Sequence, residues 1–380
     1  MTQRLYDNDS FLKNFTATVL ECEKCDSGWV VVLDKTAFFP EAGGQKSDKG
    51  TLGEALVLDV QIKNETIFHI TDKPLQVGET VEGEIDFERR FDFMQQHSAE
   101  HIVSGIANSL YGCENVGFHL SEDIVTLDFD KLLNEAQVLE IEKQANQKVY
   151  ENVAFNCFYP DDETLKSLNY RSKKELEGDI RIVEIENTDM CACCAPHVKT
   201  AGQIGLIKLL GTEKLRGGIR IELKAGNRAL EDYNEKYQNV RKISSLLATA
   251  QNETALGVER LLDTLNEQKA QITALRYEII KLKSSQFVPE SDKTAVFEND
   301  FSIKDLQMFA DSLHKLYGGI RGVFAKTESG FDFCICGENL DAFFGGFKSA
   351  FDVKGGGRNG MVQGKVSAEK TQIEDFFKKA

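Results

Sequence analysis

Two short clusters in this 380-residue chain carry the residue types of a metal site. His97 and His101 stand four positions apart, a step that puts both imidazoles on one face of a helix, able to grip one cation. Cys193 and His197 repeat that step with a soft thiolate and an imidazole, and Pro196 between them favours a rigid turn over a helix. A turn aiming Cys193 and His197 at the helical pair makes a three-His, one-Cys zinc set. Residues His97-Ser98-Ala99-Glu100-His101 also match the inverted zinc-peptidase pattern, with Glu100 as general base. That reading needs Glu175 or Glu177 as its third ligand and leaves Cys193 and His197 idle. Spacing alone leaves both readings open.

Composition narrows the setting. Lys and Arg total 45 against 61 Asp and Glu, a net charge of -16, which argues against coating nucleic acid through bulk positive charge. The one clear basic stretch runs from Lys199 to Arg228 and includes Lys208, Lys214, Arg216, Arg220 and Lys224. It follows the Cys193/His197 motif directly, where phosphates of an RNA end would lie; a solvated charged hairpin is the plainer reading. No run reaches the roughly 18 apolar residues of a membrane span, and the acidic N-terminus resembles neither a signal nor a transit peptide. Nine cysteines, with Cys191, Cys193 and Cys194 crowded together, suit free thiols or ligands in a reduced, cytoplasmic protein better than disulfides. The lone Cys22/Cys25 pair reads as hairpin cysteines.

The elements that must hold these clusters suggest an α/β (α+β) multidomain chain of four parts. Residues 1–88 show repeated short strands (Thr16 to Cys22, Trp29 to Leu33, Ala55 to Ile62, Thr66 to Ile70, Thr80 to Ile85) and read as a small N-terminal β-barrel. Residues 89–228 read as an α/β zinc domain. There Asp92 and Gln95 have the form of a capping box for a helix over Phe93 to Tyr111, and a second helix follows from about Asn134 to Glu151. Residues 229–287 form a helical, coiled-coil linker with Val258, Leu265, Ile272 and Ile279 recurring every seven positions. Residues 288–380 form a Phe-rich α/β module carrying Gly355-Gly356-Gly357-Arg358, read as a loop after a helix over Leu340 to Phe351. A dinucleotide-type match over Gly355 to Gly360 is weak, because no strand precedes it. The phenylalanines read as core, and His119 as a strand-face residue.

Taken together, these motifs resemble the long-form stand-alone alanyl-tRNA editing proteins (AlaX type), relatives of the editing and C-terminal domains of alanyl-tRNA synthetase. The resemblance spans nearly the whole chain. It rests on Thr36-Ala37-Phe38-Phe39-Pro40-Glu41-Ala42-Gly43-Gly44-Gln45 with Asp48 and Gly50, on His97 to His101, and on Cys193 to Val198. Ala201 to Gly205, Arg220-Ile221-Glu222, and Gly355 to Arg358 with Met361 and Gln363 complete it. Pro196 and Cys194 depart from the family pattern, which has small or hydroxyl residues and glycine there.

The resemblance implies zinc held by His97, His101, Cys193 and His197, and hydrolysis of mischarged tRNA(Ala), seryl or glycyl, in trans; the alternatives are the zinc peptidase and a non-catalytic, zinc-dependent tRNA-binding protein. An aminoacylation module like that of the synthetase is not expected. Four protein ligands make a closed shell, so a water or substrate group is expected to replace one or expand the shell to five. Thr36, Gln45 and Glu100 are the candidate catalytic residues, with Thr36 and Gln45 placed next to ligands or substrate. Gly43, Gly44, Lys199, Arg216, Arg220, Gly355, Gly356, Gly357 and Arg358 are the candidate substrate contacts. In that family the C-terminal module touches the tRNA elbow and forms a homodimer. No membrane partner is expected.

Overall fold

The computed structural model describes residues 2–172 and 179–380. Its contacts divide the chain into two compact units, Met1–Arg241 and Lys242–Ala380.

The first unit opens with eight strands: β1 (Gln3–Arg4), β2 (Asn14–Cys25), β3 (Gly28–Leu33), β4 (Lys35–Thr36), β5 (Gly50–Leu52), β6 (Ala55–Lys63), β7 (Thr66–Thr71) and β8 (Thr80–Ile85). Six of them pair in the ring β2-β3-β7-β6-β5-β8, and β2 pairs back to β8 to close it. Alternation builds this barrel: β7 and β8 point every second residue inward, and Phe15, Val19, Val31, Leu33, Phe38 and Val60 fill the interior. Cys22 and Cys25 lie on β2 beside the β2–β3 hairpin, and all nine cysteines are free.

Helix α1 (Phe87–Tyr111) follows, capped by Asp86 accepting from the Arg89 amide. It starts six residues before the expected position. Asp92 is no cap but a mid-helix residue whose carboxylate takes the Arg228 guanidinium. Tertiary pairing thus claims an acid that local sequence assigns to a helix end. Next come β9 (Asn115–Leu120), β10 (Val125–Phe129) and α2 (Glu135–Glu151), the last with the Asn134/Gln137 capping box. Then β11 (Phe155–Phe158), α3 (Asp162–Ser167), β12 (Ile182–Ile185), β13 (Asp189–Ala192), β14 (Ile207–Leu215), β15 (Gly218–Ala225) and α4 (Gly226–Leu247) complete the set. They form two antiparallel sheets, β14-β15-β10-β9 and β11-β12-β13. One apolar core, with Phe93, Met94, Ile102 and Val103 of α1, Ile141 of α2 and Leu127, Val183 and Leu223 of the strands, locks α1 in place. His119 is exposed on β9. Helix α4 ends where Ala248 adopts φ 49°, so the expected helical stretch is made of two helices.

In the second unit α5 (Thr254–Gln286) precedes β16 (Lys293–Glu298), α6 (Ile303–Tyr317), β17 (Ile320–Thr327), β18 (Gly330–Cys336), α7 (Leu340–Ala350), β19 (Asp352–Arg358), β20 (Met361–Ser367) and α8 (Lys370–Lys379). The sheet runs β16-β17-β18-β20-β19. Phe324, Phe331, Phe333, Phe343, Phe344, Phe347 and Phe377 pack as its core. Gly355 to Arg358 is not a loop: all four residues sit in edge strand β19, paired residue for residue with β20. Cross-strand hydrogen bonding here overrides the low strand propensity of glycine. No helix among the described residues is long and apolar enough to cross a membrane.

Candidate metal centre

Helix α1 buries His97 and His101 on the face turned toward the β13 loop, their rings stacked 5.4 Å apart. Cys193 and His197 lie in that loop, which is braced from β12's side: Arg181 Nη1 donates to the carbonyls of Cys193 (3.2 Å) and Ala195 (2.8 Å). The loop is irregular, bending at Ala195, and is not helical, in keeping with Pro196. Cys193 Sγ is 3.6 Å from His97 Nε2 and 3.4 Å from His197 Nε2. One donor atom from each of His97, His101, Cys193 and His197 lies within 4.8 Å of every other, and this buried group could hold a metal ion.

Each imidazole is held from behind by its other nitrogen. His97 Nδ1 donates to Gln45 Oε1 at 2.9 Å, His101 Nδ1 to Asp189 Oδ2 at 3.4 Å, and His197 Nδ1 meets Ser98 Oγ at 3.1 Å. An acceptor at Nδ1 keeps the proton there and leaves the Nε2 lone pair facing the cluster, as metal-binding histidines require. His101 Nε2 is buried without a hydrogen-bond partner among the described residues, an orphaned donor atom that a cation would satisfy.

The electrostatics agree with the donor set. Burial works against the Cys193 thiolate, but the adjoining His97 and His197 rings outweigh it and hold the thiol well below its ordinary value, the form that ligates. Burial pushes His197 down to about 3, keeping it neutral. His101 goes the other way. Its burial is outweighed by the Glu100 carboxylate and the Asp189 hydrogen bond, which hold it well above its ordinary value; an incoming cation would have to displace that proton.

A cavity of about 540 Å³ opens onto the cluster. His97, His101 and Cys193 line it, together with Gly43, Gly44, Phe118, Arg181 and Cys194, while His197 is not in its wall. Gly44 adopts φ 83°, and a Cβ there would stand 2.9 Å from Phe118 Cδ1, so only glycine lets the loop pass under that ring.

The other expected residues fall into three groups. Gln45 joins the cluster through His97. Glu100 is buried behind it, accepting from Ser104 Oγ (2.8 Å) and Asn115 Nδ2 (2.6 Å), with Oε2 3.8 Å from His101 Nε2. Thr36 is buried in the barrel, not in the cavity wall; its hydroxyl bonds His69 Nε2 at 2.9 Å and accepts the Phe38 amide at 3.1 Å.

Of the basic stretch, Lys199 pairs with Asp9 (3.1 Å), Lys208 with Glu142 (2.6 Å), Arg220 with Asp128 (2.7 Å) and Lys224 with Asp232 (3.4 Å). Lys214 and Arg216 stand exposed at the β14–β15 tip, without an ion-pair partner among the described residues. Gly355, Gly356, Gly357 and Arg358 lie exposed in the second unit. Glu175 and Glu177 lie outside the described residues. Sequence reasoning missed Asp189, Arg171, Ser98 and Phe118; only Ser98, next to His97, and Asp189, four before Cys193, had a positional hint.

Comparison with known proteins follows the same geography. Residues 180–222, spanning β12 to β15 and the Cys193/His197 loop, match the threonyl and alanyl tRNA synthetase second additional domain. Residues 9–89, spanning the barrel, match the class II (A) tRNA synthetases. Over 292 residues the chain is 32% identical to the alanyl-tRNA editing protein Aarsd1 of Mus musculus, covering 72% of this chain and 71% of that one. The chain belongs to the alanyl-tRNA editing protein family. It is also 30% identical to the Danio rerio Aarsd1 over 403 residues, 97% of this chain and 96% of that one. Alanine–tRNA ligase of Pyrococcus furiosus is 31% identical over 96% of this chain but only 42% of its own length.

Proposed function

We propose that this family member is a trans-acting, zinc-dependent deacylase that hydrolyses the aminoacyl ester of mischarged tRNA(Ala), seryl and glycyl. The observation that carries this is the four-donor cluster opening onto a cavity of about 540 Å³, in a chain similar to proteins named for alanyl-tRNA editing along most of its length. Zinc suits the donors. Tetrahedral bonds of about 2.0–2.1 Å to nitrogen and 2.3 Å to sulfur put ligands about 3.3–3.6 Å apart, and the Cys193 Sγ separations of 3.4 and 3.6 Å agree.

When bound, zinc supplies positive charge that stabilises an oxyanion developing on the ester. The chain's own residues do the rest. Gln45, Asp189 and Ser98 hold the three imidazoles in one tautomer. The cavity admits the substrate from the side of His97, His101 and Cys193, so His197 remains behind the cluster. Gln45 Nε2 is buried without a hydrogen-bond partner among the described residues. Glu100 supports His101, and Thr36 acts through the barrel, fixing the strand that leads into the Gly43–Gly44 loop. That loop receives the terminal adenosine by backbone approach.

The tRNA body contacts Lys199, Arg216, Arg220 and, in the C-terminal part, Gly355, Gly356, Gly357 and Arg358. The four-part division at residues 88, 228 and 287 belongs to this reading. So does a homodimer through the C-terminal part, favoured by the α5 seam from Val258 to Leu282, whose apolar residues are 42% to 63% exposed; Val258, Leu265, Ile272 and Ile279 hold one heptad position and Leu261, Leu275 and Leu282 the other, which Gln268 interrupts.

The test is hydrolysis of Ser-tRNA(Ala) and Gly-tRNA(Ala) by the metal-loaded protein and by His97→Ala, Cys193→Ala and Glu100→Gln. Loss of turnover with loss of zinc in the first two is expected. No turnover of either ester by the zinc-loaded protein would refute the assignment, and cleavage of peptides that survives Cys193→Ala would favour a peptidase.

A further inference from the structure

We propose that Asp189, clamped by Arg171, is a positioning residue that sets the orientation and donor strength of His101. The inference rests on the reading of His97, His101, Cys193 and His197 as metal ligands. Of the three groups behind the imidazoles, Gln45 and Ser98 are neutral and Asp189 alone carries charge. A carboxylate at Nδ1 draws the ring proton toward itself and makes Nε2 a stronger donor, so the three histidines are unequal by construction.

The carboxylate cannot turn away. Arg171 Nε donates to Oδ1 at 2.8 Å and Nη2 to Oδ2 at 2.7 Å, a two-pronged grip. Arg171 is itself stitched to β13, its amide donating to the Met190 carbonyl at 2.8 Å and its carbonyl accepting the Ala192 amide at 3.0 Å. The Asp189 side chain is only 3% exposed, which excludes the water that would otherwise compete for His101.

A second observation, on the other element, points the same way. Gly105 sits one turn after His101 in the interior of α1, where glycine costs about 1 kcal/mol against alanine. A Cβ there would lie 2.7 Å from both Asp189 Cβ and the Thr188 carbonyl oxygen. The helix thus carries a gap where β13 must come close enough for Asp189 to reach His101.

The experiment measures zinc affinity of the full chain by chelator competition, and the visible spectrum of its cobalt(II) form, for wild type, Asp189→Asn, Asp189→Ala and Gly105→Ala. Zinc affinity is expected to fall 10- to 100-fold in Asp189→Ala and less in Asp189→Asn, which keeps an acceptor but loses the charge. Gly105→Ala, which alters no polar group, is expected to weaken zinc in the same direction by pushing Asp189 back. The cobalt ligand-field bands shift in Asp189→Ala and in Asp189→Asn, a change at the metal that the loss of the Arg171 ion pair would not by itself produce. Asp189→Asn is isosteric and remains informative if Asp189→Ala does not fold. Zinc affinities within twofold of wild type in both Asp189 variants, with unshifted cobalt spectra, would overturn the positioning role. A wild type that takes up no zinc overturns both this role and the metal reading. Weakened zinc in Asp189→Asn beside a zinc-loaded wild type that hydrolyses neither ester supports the positioning role and sinks the editing reading alone.

Discussion

The Arg90 guanidinium and the Asp48 carboxylate form an ion pair with no solvent exposure on either side chain. Arg90 is two helical turns before His97 on α1, and Asp48 ends the segment that carries Gly43, Gly44 and Gln45. Asp48 also accepts the Phe39 amide at 2.5 Å, and Arg90 donates to the Ala37 carbonyl at 2.6 Å. The pair therefore ties both ends of the glycine segment to the helix that presents the histidines, and sets the distance at which Gln45 meets His97.

Removing one member leaves the other charged and buried, so Asp48→Asn is expected to cost about 3–5 kcal/mol of stability. Replacing both by apolar residues, Asp48→Leu with Arg90→Met, recovers most of that loss. Urea unfolding of the single and double variants checks this, and a double variant as unstable as the single would contradict it.

His69 gives the barrel a definite pH response. Its Nδ1 donates to the Val31 carbonyl at 3.1 Å and its Nε2 takes the Thr36 hydroxyl, and burial pushes its value down to about 4. Unfolded, the ring takes a proton below about 6.5 that the folded protein refuses. The stability is fully present above pH 6.5 and is lost as pH falls toward 4, by about 3 kcal/mol. Urea midpoints of wild type and His69→Gln at pH 7.5 and 4.5 isolate it: the advantage of wild type should shrink at the lower pH. An advantage equal at both would remove His69 as the cause.

Salt dependence of tRNA binding should report the free cations more than the paired ones. Lys214→Gln with Arg216→Gln is expected to lower the slope of log affinity against log salt by about 1 to 2. Arg220→Gln, which removes a proposed contact already shared with Asp128, is expected to lower that slope by less than about 1 and to lower stability as well. A slope insensitive to the hairpin tip would move the RNA contact elsewhere.

The α5 seam gives a prediction about assembly. Ile272→Glu or Leu275→Glu places a charge where a second copy would pack, and should convert the protein to a monomer in sedimentation equilibrium with its helix content retained. Sedimentation as a monomer by the wild type at micromolar concentration would dispose of the homodimer.

Much of the fold was legible because period-two and period-3.6 patterns are local: β2, β3, β6, β7 and β8, α2 and α7 fall within a few residues of their expected places. The grouping of His97, His101, Cys193 and His197 was legible because an i,i+4 step encodes a shared face on a helix, and proline between Cys193 and His197 argues against a helix there. The α1 start was misread because Asp92 obeys a local capping rule but is taken by Arg228, 136 positions away.

By itself the sequence determined which residue types could ligate a cation, and which family they resemble. Tertiary structure alone decided who stands behind each ligand and which charges are free. Asp189 reaches His101 only because β13 passes the gap at Gly105, and Lys208 and Arg220 lose their free charge only where β14 and β15 meet Glu142 and Asp128. Those partners are separated by tens of positions in the chain, and no periodicity records a contact that only the packed core creates.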